Sequence, residues 1–211
     1  MISKKIQIAL FGTSADPPTI GHEMVLNWLS KMYDFVVVWA ADNPFKEHQT
    51  SLKHRAIMLG MLGKSVSNRR GNIILEQDFS SPRTIETLRL AKNKFAHTVR
   101  LTLIVGSDLL LQLPNWYQVD ELLKEVKLLV IPRPGYPIDE SNLETIRQLG
   151  GTIEISDYTG LNVSSTSFRE TGDMEILPKC LVSYINEQHL YTNARKQSKK
   201  DNIPEKSTFS G

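Results

Sequence analysis

The sequence predicts an α/β fold, a doubly wound, Rossmann-like parallel sheet with a helical C-terminal piece. Three observations predict it. Apolar, β-branched runs alternate with amphipathic helical patterns as far as residue 191. The first strand, helix and strand fit within about forty residues, the span of one βαβ unit with its strands parallel. The unusual residues sit in the segments that leave the strands, where open α/β sheets bind their ligands.

The elements follow in order. "KIQIALFG" (5–12) alternates into an apolar run and reads as the first strand. "HEMVLNWLSKMY" (22–33) has helical spacing, and "DFVVVWAA" (34–41) reads as a buried strand. A second amphipathic helix covers 52–66 and a third strand 72–77. "SPRTIETLRLAKNKF" (81–95) reads as a helix, with Ser81 as its cap and Pro82 at its first position. "VRLTLIVG" (99–106) is a strand, 115–126 a helix, "KLLVIPR" (127–133) a strand and "TIEISD" (152–157) a last short strand. "SSTSFRETG" (164–172) opens a short helix, and 177–191 reads as a longer one.

With 40% hydrophobic and 23% charged residues, the composition is that of an ordinary globular domain. No apolar run approaches a membrane span, and "MISKKIQIAL" lacks a signal-peptide core, so a cytoplasmic protein is expected. The single cysteine, Cys180, excludes a disulfide framework and a Cys-rich zinc site. Net charge is +2. The tail 192–211 holds five Lys/Arg against two Asp/Glu, which leaves the body almost neutral. Nucleic-acid binding is not expected from that balance. Residues 1–191 read as one domain and 192–211 as a basic, polar tail with too few apolar groups to order itself.

Four segments leave strand ends and should meet at one crevice. "GTSADPPTIGH" (12–22) places His22 at the start of a helix. "DNPFK" carries Lys46, which can neutralise phosphate charge or stand as a solvated surface lysine. "GSDLLLQLPNW" places Asp108 just after Gly106, either a ribose acceptor or a helix cap. Trp116 can stack on an aromatic ring or belong to the core. "SSTSFR" puts Ser164, Ser165, Thr166 and Arg169 at a helix start. This suits a polyphosphate, and it also fits a serine cap beside a surface arginine.

Taken together, these pieces resemble the nucleotidyltransferase superfamily, with its [H/T]-x-G-H and SST-x-x-R motifs. Here the motifs are Thr19-Ile20-Gly21-His22 and Ser164–Arg169. "NPFK", "RTIETL", "VGSDLLLQLPNW", "RPGY" and "YINEQHLY" extend the likeness over residues 6–191 to the nicotinate (or nicotinamide) mononucleotide adenylyltransferases. The resemblance implies transfer of the AMP moiety of ATP to the mononucleotide, with release of pyrophosphate. It implies His22, Lys46 and Arg169 as catalytic residues. Gly12, Thr13, Thr19, Gly21, Gly106, Asp108, Ser164, Ser165 and Thr166 would join His22 and Arg169 in binding ATP. Lys46, Thr84, Thr87 and Trp116 would face the mononucleotide. Mg²⁺ would travel with ATP, and no protein metal cage is expected. A homo-oligomer is compatible with all of this.

The chain departs from the family pattern at three places. Thr19 stands where many relatives have His, Ala15 where an aromatic residue is usual, and Arg83 where tyrosine is frequent. Two alternatives share the motifs. One is an adenylyl- or cytidylyltransferase for another phosphorylated acceptor, such as pantetheine phosphate. The other is a non-catalytic nucleotide sensor of the same fold.

Overall fold

The computed structural model describes residues 5–42, 50–66, 70–95 and 99–192. Six parallel strands form one sheet: β1 (Ile6–Thr13), β2 (Phe35–Ala40), β3 (Ile73–Leu75), β4 (Val99–Gly106), β5 (Lys127–Ile131) and β6 (Thr152–Ile155). Their order across the sheet is β3-β2-β1-β4-β5-β6. The chain winds outward from β1 in one direction and from β4 in the other. Connections therefore diverge between β1 and β4 and leave a crevice there. Register deepens it. β1 pairs with β4 only as far as Leu10, whereas its pairing with β2 continues to Thr13. The stretch Phe11–Thr13 thus has an open side toward β4.

Helices cover both faces. Helix α1 (Ile20–Met32) and α2 (Leu52–Val66) pack Val25, Leu26, Leu29, Leu59 and Leu62 on one face. Helices α3 (Thr84–Lys94), α4 (Val119–Glu125) and α5 (Glu140–Gln148) bring Ile85, Leu88, Leu122, Leu143 and Ile146 to the other. The C-terminal helices α6 (Ser165–Thr171) and α7 (Lys179–Glu187) gather Phe168, Leu181, Ile185 and Tyr191 around Met58 of α2. Helix α2 is thus shared between the sheet core and the C-terminal cluster.

The expected α/β architecture is the observed one, with local differences that have physical reasons. Helix α5 was not legible in the sequence because only Leu143 and Ile146 of it are buried; Asp139 caps it by accepting from the Ser141 amide at 3.0 Å. Helix α3 starts after Arg83 instead of at Ser81, since the Ser81 hydroxyl donates to Glu86 Oε2 (2.5 Å) and accepts from the Arg83 amide (3.2 Å). The expected helix 115–126 divides into a 3₁₀ turn at Leu113–Asn115 and α4, with Gln118 left-handed between them. Helix α7 stops at Glu187, and the chain reverses through left-handed His189 and Tyr191. Helix α1 begins at Ile20, so Thr19 is its cap and His22 its third residue.

Gly12 is fixed by packing. A Cβ there would lie 2.5 Å from Cε2 and Cζ2 of the buried Trp39 ring on β2. Gly12→Ala is expected to destabilise the fold by about 1–3 kcal/mol through overpacking. Urea unfolding measures this; an unchanged midpoint would contradict the packing account.

Candidate active site

A cleft of about 620 Å³ opens at the crevice between β1 and β4. Its walls are the loop after β1, the first turn of α1, the end of β4, the exit of β5 and the segment Gly160–Arg169. It brings together Gly12, Thr13, Thr19, Gly21, His22, Gly106, Asp108, Ser164, Ser165, Thr166 and Arg169 from three separate stretches of sequence.

The start of α1 sets the histidine. In a capping box, the third helical side chain accepts from the cap residue's amide. His22 takes that place here. The Thr19 N–H donates to His22 Nδ1 at 3.0 Å, and Thr19 Oγ1 lies 3.0 Å from the same nitrogen. A backbone N–H only donates, so Nδ1 is the acceptor. In the neutral ring the proton then sits on Nε2. Nε2 lies 3.0 Å from Thr13 Oγ1, on the loop after β1. Thr19 itself is 0% exposed. Its hydroxyl lies against the His22 ring nitrogen at the cleft wall.

The loop after β1 is held through its carbonyls. Pro17 and Pro18 have no N–H, and Ala15 adopts φ 46, a left-handed backbone that costs about 1–2 kcal/mol for a residue with Cβ. Arg55 of α2, 1% exposed, donates Nη1 to the carbonyls of Ser14 (2.9 Å) and Ala41 (2.7 Å) and Nε to that of Thr50 (3.2 Å). Arg169 donates Nη1 to the Asp16 carbonyl at 2.7 Å, and the Ser165 hydroxyl donates to the Pro17 carbonyl at 2.7 Å. The carbonyls on either side of strained Ala15 are therefore each gripped by an arginine. Burial draws the Arg55 pKa down, with Asp16 and Asp42 opposing the change. Arginine nonetheless stays charged in proteins. Behind the loop, the Tyr191 hydroxyl donates to buried Asp16 Oδ1 at 2.5 Å.

Helix α6 forms the facing wall. Ser164 Oγ caps it by accepting from the Ser167 amide at 3.0 Å. Arg169 Nη2 donates to Thr166 Oγ1 at 3.1 Å. Gly21 lets this wall approach α1, since a Cβ there would lie 2.9 Å from Val163 Cγ2. The sequence left "SSTSFR" open between a ligand site and a serine cap with a surface arginine. The serine cap is present, and the arginine is half-buried: Arg169 and Ser165 both bind the opposite loop. Across the cleft, Arg133 Nη1 donates to Asp108 Oδ2 at 2.9 Å. The Ser107 hydroxyl accepts from the Arg133 amide (2.9 Å) and donates to the Tyr136 carbonyl (2.8 Å). Gly106 makes room for that pair, as a Cβ would sit 2.3 Å from Asp108 Oδ1.

Other expected site residues lie elsewhere. Thr84, Thr87 and Trp116 do not line this cleft. Thr87 is 2% exposed and its hydroxyl donates to the Phe79 carbonyl at 2.7 Å, so it is held inside the fold. Trp116 is half-buried against the core beside α4. Lys46 lies outside the described residues. Sequence reasoning missed Asp16, Arg55, Arg133 and Tyr191. Arg55 carried a signal: it stands on the apolar stripe of α2, three, four and seven residues before Met58, Leu59 and Leu62.

Residues 10–171 match the cytidylyltransferase-like family. A Synechocystis protein named "Probable nicotinate-nucleotide adenylyltransferase" is 38% identical over 198 residues, covering 88% of this chain and 99% of that protein. The Bacillus subtilis "Nicotinate-nucleotide adenylyltransferase" is 25% identical, covering 88% and 98%. A Plasmodium falciparum nicotinic acid mononucleotide adenylyltransferase complexed with NaAD has the same fold, with TM-score 0.72 at 23% identity and coverage of 89% and 98%.

Burial and the Asp16 bond hold the Tyr191 hydroxyl protonated well above the ordinary tyrosine range, against the opposing influence of Thr50 and Arg169. The unfolded chain ionises near pH 10. This contribution to stability is therefore complete below pH ~10 and declines as pH rises further. Wild type should exceed Tyr191→Phe by about 1–2 kcal/mol at pH 8. The gap should narrow above pH ~10; a gap unchanged at pH ~11 would contradict this account.

Proposed function

We infer the chemistry from the premise that this chain belongs to the cytidylyltransferase-like family and, within it, to the nicotinate-nucleotide adenylyltransferases. The chain is a nucleotidyltransferase. It joins nicotinate mononucleotide to the AMP moiety of ATP and releases pyrophosphate, a step of NAD biosynthesis. The single observation that best supports this reading is the His22 ring. Its proton is directed onto Nε2 at the mouth of the loop after β1, in the same cleft as the α6 wall.

The attacking group is a mononucleotide phosphate oxygen, already ionised at neutral pH. No strong base and no protein nucleophile is needed. Oxygen forms a bond to the α-phosphorus of ATP while the bond to pyrophosphate breaks. The protein's task is alignment and charge stabilisation. In this reading His22 Nε2–H turns from Thr13 Oγ1 to a phosphate oxygen, and Thr19 holds Nδ1 as the ring works. Amides around Gly12 and Thr13, on the open side of β1, receive phosphate oxygens. Thr166, Ser164 and the remaining N–H groups of Arg169 hold the leaving pyrophosphate. Asp108, steadied by Arg133, accepts ribose hydroxyls.

Lys46 is assigned to the reacting phosphates. Trp116 and Thr84 are assigned to the pyridine side, outside the main cleft. Mg²⁺ enters as part of the substrate, MgATP. Among the described residues no group of three His, Cys, Asp or Glu side chains gathers to hold a metal ion. Bound with ATP, the ion would neutralise phosphate charge and keep several of its waters. No helix among the described residues is long and apolar enough to cross a membrane, and a cytoplasmic placement belongs to the same proposal.

Pyrophosphate release measured with MgATP and each acceptor tests the reading. Nicotinate mononucleotide should give the highest kcat/KM among nicotinate mononucleotide, nicotinamide mononucleotide and pantetheine phosphate. Faster turnover of pantetheine phosphate would overturn it. In the same assay His22→Ala should lose about 10²–10³-fold in kcat/KM, as when one charge-stabilising donor is removed. Near-normal activity would remove His22 from the mechanism.

A further inference from the structure

Beyond Glu187 the chain folds back sharply. The His189 amide donates to Asn186 O at 3.1 Å and the Leu190 amide to Ile185 O at 3.0 Å. His189 (φ 51) and Tyr191 (φ 56) both take left-handed backbone, uncommon for residues with a Cβ. Such strain persists where the surroundings over-determine it. What it achieves here is the placement of Tyr191, whose side chain turns into the body of the protein and is 6% exposed.

Tyr191 makes two kinds of contact. Its ring meets Phe168 edge-on, with centroids 5.6 Å apart at 86°. Phe168 is fully buried on α6, between Thr166 and Arg169. The Tyr191 hydroxyl donates to Asp16 Oδ1, 175 residues earlier, on the loop that precedes His22. The carbonyl of that same Asp16 accepts from Arg169. Tyr191, Asp16 and α6 thus close a triangle behind the cleft. Tyr191 itself does not line the cleft. An apolar staple would be complete with the ring alone. The buried hydroxyl must instead be matched by an acceptor, and the acceptor chosen belongs to the nucleotide loop.

We propose that Tyr191 is a positioning residue for adenylyl transfer: through Asp16 and Phe168 it sets the loop after β1 and helix α6 at the spacing that receives the ATP phosphates. This rests on the adenylyltransferase reading of the cleft. The coupling is reciprocal by linkage, so nucleotide binding tightens the Tyr191 anchor as much as the anchor favours the nucleotide.

The test uses the full-length protein and Tyr191→Phe, which keeps the ring. Binding of a non-hydrolysable ATP analogue with Mg²⁺ is measured by calorimetry, without acceptor, well below the unfolding temperature. Tyr191→Phe should bind roughly tenfold more weakly, within the usual range of such couplings. The KM for nicotinate mononucleotide should change much less than that for MgATP. Tyr184→Phe is the matched control, because it deletes a hydroxyl that ties α7 to His54 Nδ1 (2.7 Å) without touching the loop. It should leave analogue affinity unchanged. Equal losses in both variants, or a Tyr191→Phe variant that only melts earlier, would overturn the proposal.

Hydrogen exchange on the wild type reads the same coupling should Tyr191→Phe fail to fold. Analogue binding should slow exchange in the peptide spanning 187–192, and unchanged exchange would overturn the proposal. Analogue binding with the predicted Tyr191 dependence, but no turnover of nicotinate mononucleotide, would refute the acceptor assignment and leave the positioning role standing. A wild type that does not bind the analogue would overturn both.

Discussion

The carbonyl groups of Ser14, Asp16 and Pro17 depend on side chains from helices far away in sequence, and the site depends on that arrangement. Backbone carbonyls taken out of water need partners. This loop cannot supply them locally, because Pro17 and Pro18 lack N–H groups and Ala15 is left-handed. Arg55 meets the first carbonyl, Arg169 the second and Ser165 the third. The loop then delivers Thr19 as the cap of α1, and Thr19 fixes the His22 ring. The loop backbone, held at these three carbonyls, connects the buried side of α2 to the His22 ring.

The same bonds explain how a chain of small net charge can receive a polyphosphate. Exposed ion pairs contribute about 0–1 kcal/mol. A pre-oriented donor aimed at developing charge contributes on the order of 3 kcal/mol to the transition state. Orientation therefore outweighs the count of positive residues. Arg169 serves both ends of this logic: Nη1 fixes the loop and Nη2 meets Thr166. Arg133 steadies Asp108 in a comparable way from the exit of β5.

Much of this was legible in the sequence. Apolar runs such as "DFVVVWAA" marked the strands, and residues placed just beyond strand ends marked the cleft. The roles of single hydroxyls were less legible. Thr19 looked like a phosphate contact in the place of a histidine; the sequence did not show that it is buried against His22 Nδ1. Ser165 looked like a phosphate donor and is a tie to Pro17. These partners are 148 residues apart, and no local pattern announces such a bond. Helix α5 hid for a different reason, having two buried residues and otherwise a solvated surface. Arg55 was readable in principle, as a charge standing on an apolar helical stripe.

The most direct test of the account is turnover by Arg55→Lys, at a temperature where circular dichroism shows the variant fully folded. Lysine keeps the charge but lacks the planar fork that reaches the Ser14, Ala41 and Thr50 carbonyls together. The account predicts a loss of at least about tenfold in kcat with MgATP and nicotinate mononucleotide, because the loop no longer presents His22 in place. A folded Arg55→Lys variant with wild-type kcat would contradict it.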